Sequence, residues 1–145
     1  MSYLNDTILL IEDDADDAEF TINELRKLKI RSLVHLDDGA TALEYLFSAD
    51  TRAPGVILLD LKMPKVDGIE ILGKLKNDVA RKSIPVVALI SSKEGKKYVE
   101  SFRLNPDGYL LKPVDATSFI SVLTEIGLSH LVYSTSAKGV NRIEQ

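Results

Sequence analysis

The chain has 145 residues, no cysteine and a formal net charge of −4. That length suits one domain with a closed core. The composition argues against disulfides, thiolate chemistry and zinc–thiolate centres, and against the basic stripe of a nucleic-acid-binding surface. No apolar run approaches the roughly 18 residues that a bilayer span requires. The first seven residues, Met-Ser-Tyr-Leu-Asn-Asp-Thr, lack the basic and apolar character of a secretory leader. The expectation is a soluble cytoplasmic protein with no membrane partner and no direct nucleic-acid partner.

Apolar runs alternate with segments of helical period along the chain. Residues 8–11 (Ile-Leu-Leu-Ile) read as a strand apolar on both faces, as in a parallel sheet covered by helices. Residues 14–29 read as a helix that turns Ala18, Ile22 and Leu25 inward. Its first turn is acidic, which suits the helix dipole. Ser32–Leu36 is a second strand. Asp38-Gly39 opens a helix through Ala40, Leu43, Leu46 and Phe47. Pro54-Gly55 punctuates the chain before the strand Val56–Asp60. Asp67 caps a third helix with Ile69, Leu72 and Leu75 inward. Pro85 precedes the strand Val86–Ile90. A weaker helix spans 93–104, with Gly95 in its first turns, and its face of Lys93, Lys96 and Lys97 reads as solvated. Asn-Pro-Asp-Gly at 105–108 is a turn. It leads into a strand at 109–111 and then a helix capped by Asp115, which carries Phe119, Val122, Leu123 and Ile126 and ends near Gly127. Five βα units of this kind imply an α/β doubly wound, five-stranded parallel sheet. The domain is expected over 1–127, an apolar extension over 128–133 and a disordered polar tail over 134–145. The extension suits packing on the body or a homodimer interface, with dimerisation slightly favoured.

In open parallel sheets, ligands sit outside the carboxyl ends of the strands. Glu12 and Asp13 follow the first strand there, Asp60 ends the third and Lys112 follows the fifth. Gathered carboxylates repel one another unless a cation is present. A hard divalent ion fits such a set, and Mg²⁺ takes few carboxylates plus water and a phosphate oxygen. Asp60 is then placed to act as a carboxylate nucleophile toward a phosphoryl group, with Lys112 as a point charge for its oxygens. Asp16, Asp17 and Glu19 read as acids favoured by the first helical turn, and Asp14 fits either that turn or the acidic site. His35 and His130 match no metal-ligand spacing and read as incidental.

The segments Ile-Glu-Asp-Asp-Ala-Asp-Asp (11–17), Asp-Gly-Ala-Thr-Ala-Leu-Glu-Tyr-Leu (38–46) and Leu-Asp-Leu-Lys-Met-Pro (59–64) resemble the response-regulator receiver domain of two-component signalling. They are similar in particular to stand-alone receivers that pair with phytochrome-type histidine kinases. The resemblance covers residues 7 to about 127 and implies a flavodoxin-like (βα)5 fold. It implies phosphorylation of Asp60 by a sensor histidine kinase or histidine phosphotransfer protein. It also implies Mg²⁺ at Glu12, Asp13, Asp60 and the Lys62 carbonyl, with Asp13 the more direct of the acidic pair. Lys112 would stabilise the phosphoryl group, and the Lys112–Pro113 bond is expected to be cis. Tyr109 corresponds to the aromatic that moves inward on activation, although a tyrosine at a strand start also packs. Such a protein is no turnover enzyme beyond its own phosphorylation and dephosphorylation, and it signals to a downstream protein by contact.

One position departs from that pattern. Receivers carry Thr or Ser where this chain has Ile90, and that hydroxyl donates to the phosphoryl group. A hydrogen bond to a charged group contributes about 1.5–3 kcal/mol. Ser91 follows, but adjacent strand residues face opposite ways. A phosphorylation-independent binding module is therefore the alternative function. A haloacid-dehalogenase-type phosphatase needs an Asp at position 62, which is Lys62 here, and a flavodoxin phosphate loop would not be acidic.

Overall fold

The computed structural model describes residues 5–63 and 66–132. The expected elements all form: β1 (Thr7–Ile11), α1 (Ala15–Leu25), β2 (Ser32–Leu36), α2 (Gly39–Phe47), β3 (Val56–Asp60), α3 (Gly68–Lys76), β4 (Val86–Ile90), α4 (Lys93–Ser101), β5 (Gly108–Leu111) and α5 (Ala116–Glu125). A 3-10 turn follows at Ser129–Leu131. The strands make one sheet in the order β2-β1-β3-β4-β5, and every pairing is parallel. This is the flavodoxin-like doubly wound fold.

Alternation along the three central strands builds a core on each face of the sheet. Leu9, Ile11, Ile57, Leu59, Ala88 and Ile90 pack with Ala42 of α2, Ile71 and Leu72 of α3 and Val99 of α4. Ile8, Leu10, Leu58 and Leu89 pack with Ala18 and Leu25 of α1 and Phe119 and Leu123 of α5. The carboxyl ends of β1 and β3 thus emerge between two filled layers, which fixes where Glu12 and Asp60 stand. Asp14, Asp38, Asp67 and Asp115 each cap a helix by accepting from the N–H three residues on, worth about 1 kcal/mol apiece. Ser92, at the start of α4, makes no side-chain cap.

Several details differ from the sequence expectation. Helix α1 stops at Leu25, and the carbonyls of Glu24 and Leu25 receive Lys27 and Leu28 in tight turns instead of a continuing helix. Ala42, not Ala40, is the buried alanine of α2, and Phe47 is 37% exposed beneath the Arg81 guanidinium. Helix α4 ends at Ser101, and Arg103 sits at φ 57. In the extension, Leu131 is buried in the α1–α5 core layer and lies against Gly55. That leucine therefore packs on the body. Tyr133 and the expected disordered tail, 134–145, lie outside the described residues. Among the described residues no helix is long and apolar enough to cross a membrane.

Candidate phosphoacceptor and metal site

The ends of β1, β3 and β5 bring four side chains together. Glu12 and Asp60 are buried, Asp13 is half-buried, and one carboxylate oxygen from each of the three lies within 4.8 Å of the others. Lys112 Nζ approaches Glu12 Oε1 at 2.9 Å and Asp60 Oδ1 at 3.1 Å. The Lys62 N–H donates to Asp60 Oδ1 at 3.3 Å, while the Lys62 side chain is exposed. The Lys112–Pro113 bond is cis.

The electrostatics follow from this crowding. Burial pushes the Glu12 carboxyl up to about 7; Lys112 pulls it back and neighbouring Asp60 adds to the rise. Burial and Asp60 also raise Asp13. Burial disfavours the charged Lys112 ammonium, but its contacts with Glu12 and Asp60 outweigh that and leave its pKa raised. The cluster therefore holds more negative charge than one ammonium offsets. Glu12 Oε1 is buried and accepts no hydrogen bond, and Lys112 touches it only as an ion contact. A buried carboxylate oxygen that shares one ammonium with Asp60, beside a third carboxylate, fits a hard divalent cation.

Gly68 keeps the strand end and α3 in contact. A Cβ there would fall 2.3 Å from the Asp60 carbonyl oxygen and 2.6 Å from Leu61 Cα. A groove of about 740 Å³ opens beside Asp60 between the loops that follow β3 and β4, lined by Met63, Asp67, Ile90, Ser91, Glu94 and Tyr98 among others. Ile90 ends β4 in register with Leu111, and Ser91 lies beyond it, exposed. The strand therefore does not stop early to turn Ser91 into the place of Ile90. The Ile90 Cβ instead faces Gly95, where an added Cβ would meet it at 3.2 Å. Tyr109 is half-buried with Lys96 Nζ 5.2 Å from its ring centroid. Burial and the charge of Glu100 raise its hydroxyl pKa.

Sequence reading missed two neighbours of the site. Asp17 Oδ2 accepts a hydrogen bond from Lys112 at 3.3 Å, although its place in α1 marked it only as a first-turn acid. His35 Nε2 lies 2.9 Å from the Glu12 carbonyl oxygen and donates to it. Both contacts join residues remote in sequence, and neither follows a local pattern.

A parallel sheet with an acidic triad and a lysine at the carboxyl ends of its strands is suited to hold a divalent cation beside a carboxylate nucleophile. Residues 8–124 match the response regulator receiver domain, and the chain belongs to that family. Response regulator Rcp1 of Synechocystis sp. is 36% identical over 110 residues, covering 72% of this chain and 75% of its own length. The solved bacteriophytochrome response regulator RtBRR is similar with a TM-score of 0.80 and 35% identity, over 94% of this chain and 84% of that one. The Mn²⁺-bound form of Rcp1 matches with a TM-score of 0.68 and 31% identity, over 89% of this chain and 96% of that one. These relatives include stand-alone receivers associated with phytochromes.

Proposed function

We propose that this receiver is phosphorylated on Asp60 in a Mg²⁺-dependent reaction and signals by protein–protein contact. The observation that carries the reading is the gathering of the Glu12, Asp13 and Asp60 carboxylates around a single lysine. Glu12, Asp13, Asp60 and the Lys62 carbonyl would hold the ion. When bound, Mg²⁺ offsets the carboxylates and lets a phosphoryl anion approach. An Asp60 carboxylate oxygen attacks phosphorus, the donor's bond to phosphorus breaks, and its electron pair leaves with the donor. The donor is a sensor histidine kinase or histidine phosphotransfer protein. Lys112 holds charge against the transferred oxygens. The Mn²⁺-bound form of the related Rcp1 supports binding of a divalent ion.

The output surface in this reading is α4, β5 and α5, and the ligand is a downstream protein. Tyr98, Phe102, Leu111 and Ile120 are exposed there, and the Tyr98 and Phe102 rings meet edge to face with centroids 5.1 Å apart. The protein works in the cytoplasm as a signalling module, and the acidic surface suits no nucleic acid. Incubation with acetyl phosphate and Mg²⁺ tests the chemistry by intact mass. A gain of one phosphoryl group in wild type, absent from Asp60→Asn, supports it, and no gain in wild type sinks it.

Ile90 favours a second reading, in which binding is independent of phosphorylation. An isoleucine packed toward Gly95 offers no hydroxyl to a phosphoryl oxygen. Ile90→Thr separates the two. A phosphorylation-dependent gain in partner binding that appears only in the variant assigns the missing switch to position 90.

A further inference from the structure

Asp17 sits in the first turn of α1, where its N–H is held by the Asp14 cap at 2.9 Å. Its carboxylate reaches across the site to Lys112 Nζ at 3.3 Å, a contact that spans 95 residues of sequence and is geometrically a hydrogen bond. The three carboxylates around this ammonium differ sharply in exposure. The Glu12 side chain is 1% exposed, Asp60 5% and Asp17 49%. Two acceptors therefore lie at the floor of the site and one at its rim.

An ammonium has three N–H donors, and three carboxylate oxygens surround this one. All three lie within 3.3 Å of Nζ, so a phosphoryl oxygen that reaches Lys112 competes with them for its charge. Glu12 Oε1 is buried with no hydrogen bond of its own, so losing the lysine would leave a buried charge uncompensated. Asp60 is the residue that carries the phosphoryl group. Asp17 makes the longest of the three contacts and is the best solvated, so water readily replaces the lysine there.

We propose that Asp17 is a positioning residue: it holds Lys112 at the rim of the unphosphorylated site and yields it to the incoming phosphoryl oxygen. The proposal rests on the reading of Asp60 as phosphoacceptor and deepens it. Asp17 then competes with the phosphoryl group for one ammonium, and its charge repels that group. The same charge attracts a divalent cation. Removing it must therefore act in opposite directions on the two ligands, which local damage to the fold does not do.

The test measures dissociation constants for Mg²⁺ alone and for beryllofluoride, a phosphoryl mimic, in saturating Mg²⁺. Wild type, Asp17→Asn and Asp17→Ala are compared at low and high salt. Asp16→Asn, an exposed carboxylate of the same turn that makes no ion pair with Lys112, controls for net charge. Asp17→Asn is expected to bind beryllofluoride about threefold more tightly and Mg²⁺ more weakly, with Asp17→Ala alike. Both differences shrink at high salt, because Asp17 is half exposed. Unchanged or weaker beryllofluoride binding in the Asp17 variants overturns the proposal, as does an equal effect from Asp16→Asn. Failure of wild type itself to bind beryllofluoride in Mg²⁺ overturns instead the phosphoacceptor reading beneath it.

Discussion

Replacing Asp60 by Asn is expected to stabilise the metal-free protein although it removes a buried ion-pair partner. Asn keeps the Oδ1 acceptor for the Lys62 N–H, so the change is essentially one of charge. Asp60 is repelled by Glu12 and Asp13 at distances within 4.8 Å and attracted by Lys112 at 3.1 Å. At an effective dielectric of about 20, each repulsion is worth about 3.5 kcal/mol and the attraction about 5.4 kcal/mol. Two repulsions exceed one attraction by about 1.6 kcal/mol on that scale. At pH 8.5, where the Glu12 carboxyl is ionised, the half-exposed position of Asp13 reduces the net gain to about 1 kcal/mol, and the comparison is made there. Thermal unfolding in EDTA should show Asp60→Asn melting about 3 °C above wild type. Added Mg²⁺ should raise the wild-type midpoint by mass action and the variant's far less. A variant less stable than wild type in EDTA would mean that the Lys112 ion pair outweighs the repulsion, and the argument for a site strained toward a cation would fail.

Gly68→Ala places a methyl against the Asp60 carbonyl and Leu61 Cα, both backbone, so α3 must back away from β3. Denaturant unfolding should show a loss of about 2–3 kcal/mol, accompanied by weaker Mg²⁺ binding; an unchanged midpoint would contradict this close approach. The pH dependence has two opposite parts, both from Glu12. Its folded pKa of about 7 lies above its ordinary 4.5, so the folded state holds the extra proton between those values. Without metal, the stability Glu12 contributes is fully present below pH 4.5 and is lost as pH rises to about 7. Mg²⁺ needs the carboxylate, so its affinity should rise up to about tenfold per pH unit below 7 and level off above. Calorimetric titration between pH 5.5 and 8.5 reads this directly, and a flat profile would refute the assignment of Glu12 to the ion.

Chain order and the gathering of Glu12, Asp13, Asp60 and Lys112 were legible because both rest on local patterns. Continuous apolar runs that end in Glu12, Asp60 or Lys112 mark strands whose carboxyl ends share an edge, and Asp38, Asp67 and Asp115 mark helix starts by capping chemistry. Helix ends were less legible. The stop of α1 at Leu25 and of α4 at Ser101 depends on tight turns that leave no residue signature comparable to a glycine cap. Ala42 and Ala40 are equivalent in composition, and only the crossing of α2 over the sheet selects the first for burial. Asp17 and His35 were invisible as site neighbours because their partners, Lys112 and the Glu12 carbonyl, come from other elements. Leu131 was read with a slight preference for a partner surface, yet it packs on the body, because an apolar residue after the last helix suits both.

The central claim is that phosphoryl transfer ends on the carboxylate of Asp60. Treating the acetyl phosphate-reacted protein with borohydride reduces an acyl phosphate to an alcohol, and peptide sequencing by mass spectrometry then locates it. Homoserine at position 60, formed only with Mg²⁺ present, is the result this account predicts. Homoserine at Asp13 or another acid, or none at any position, would contradict it.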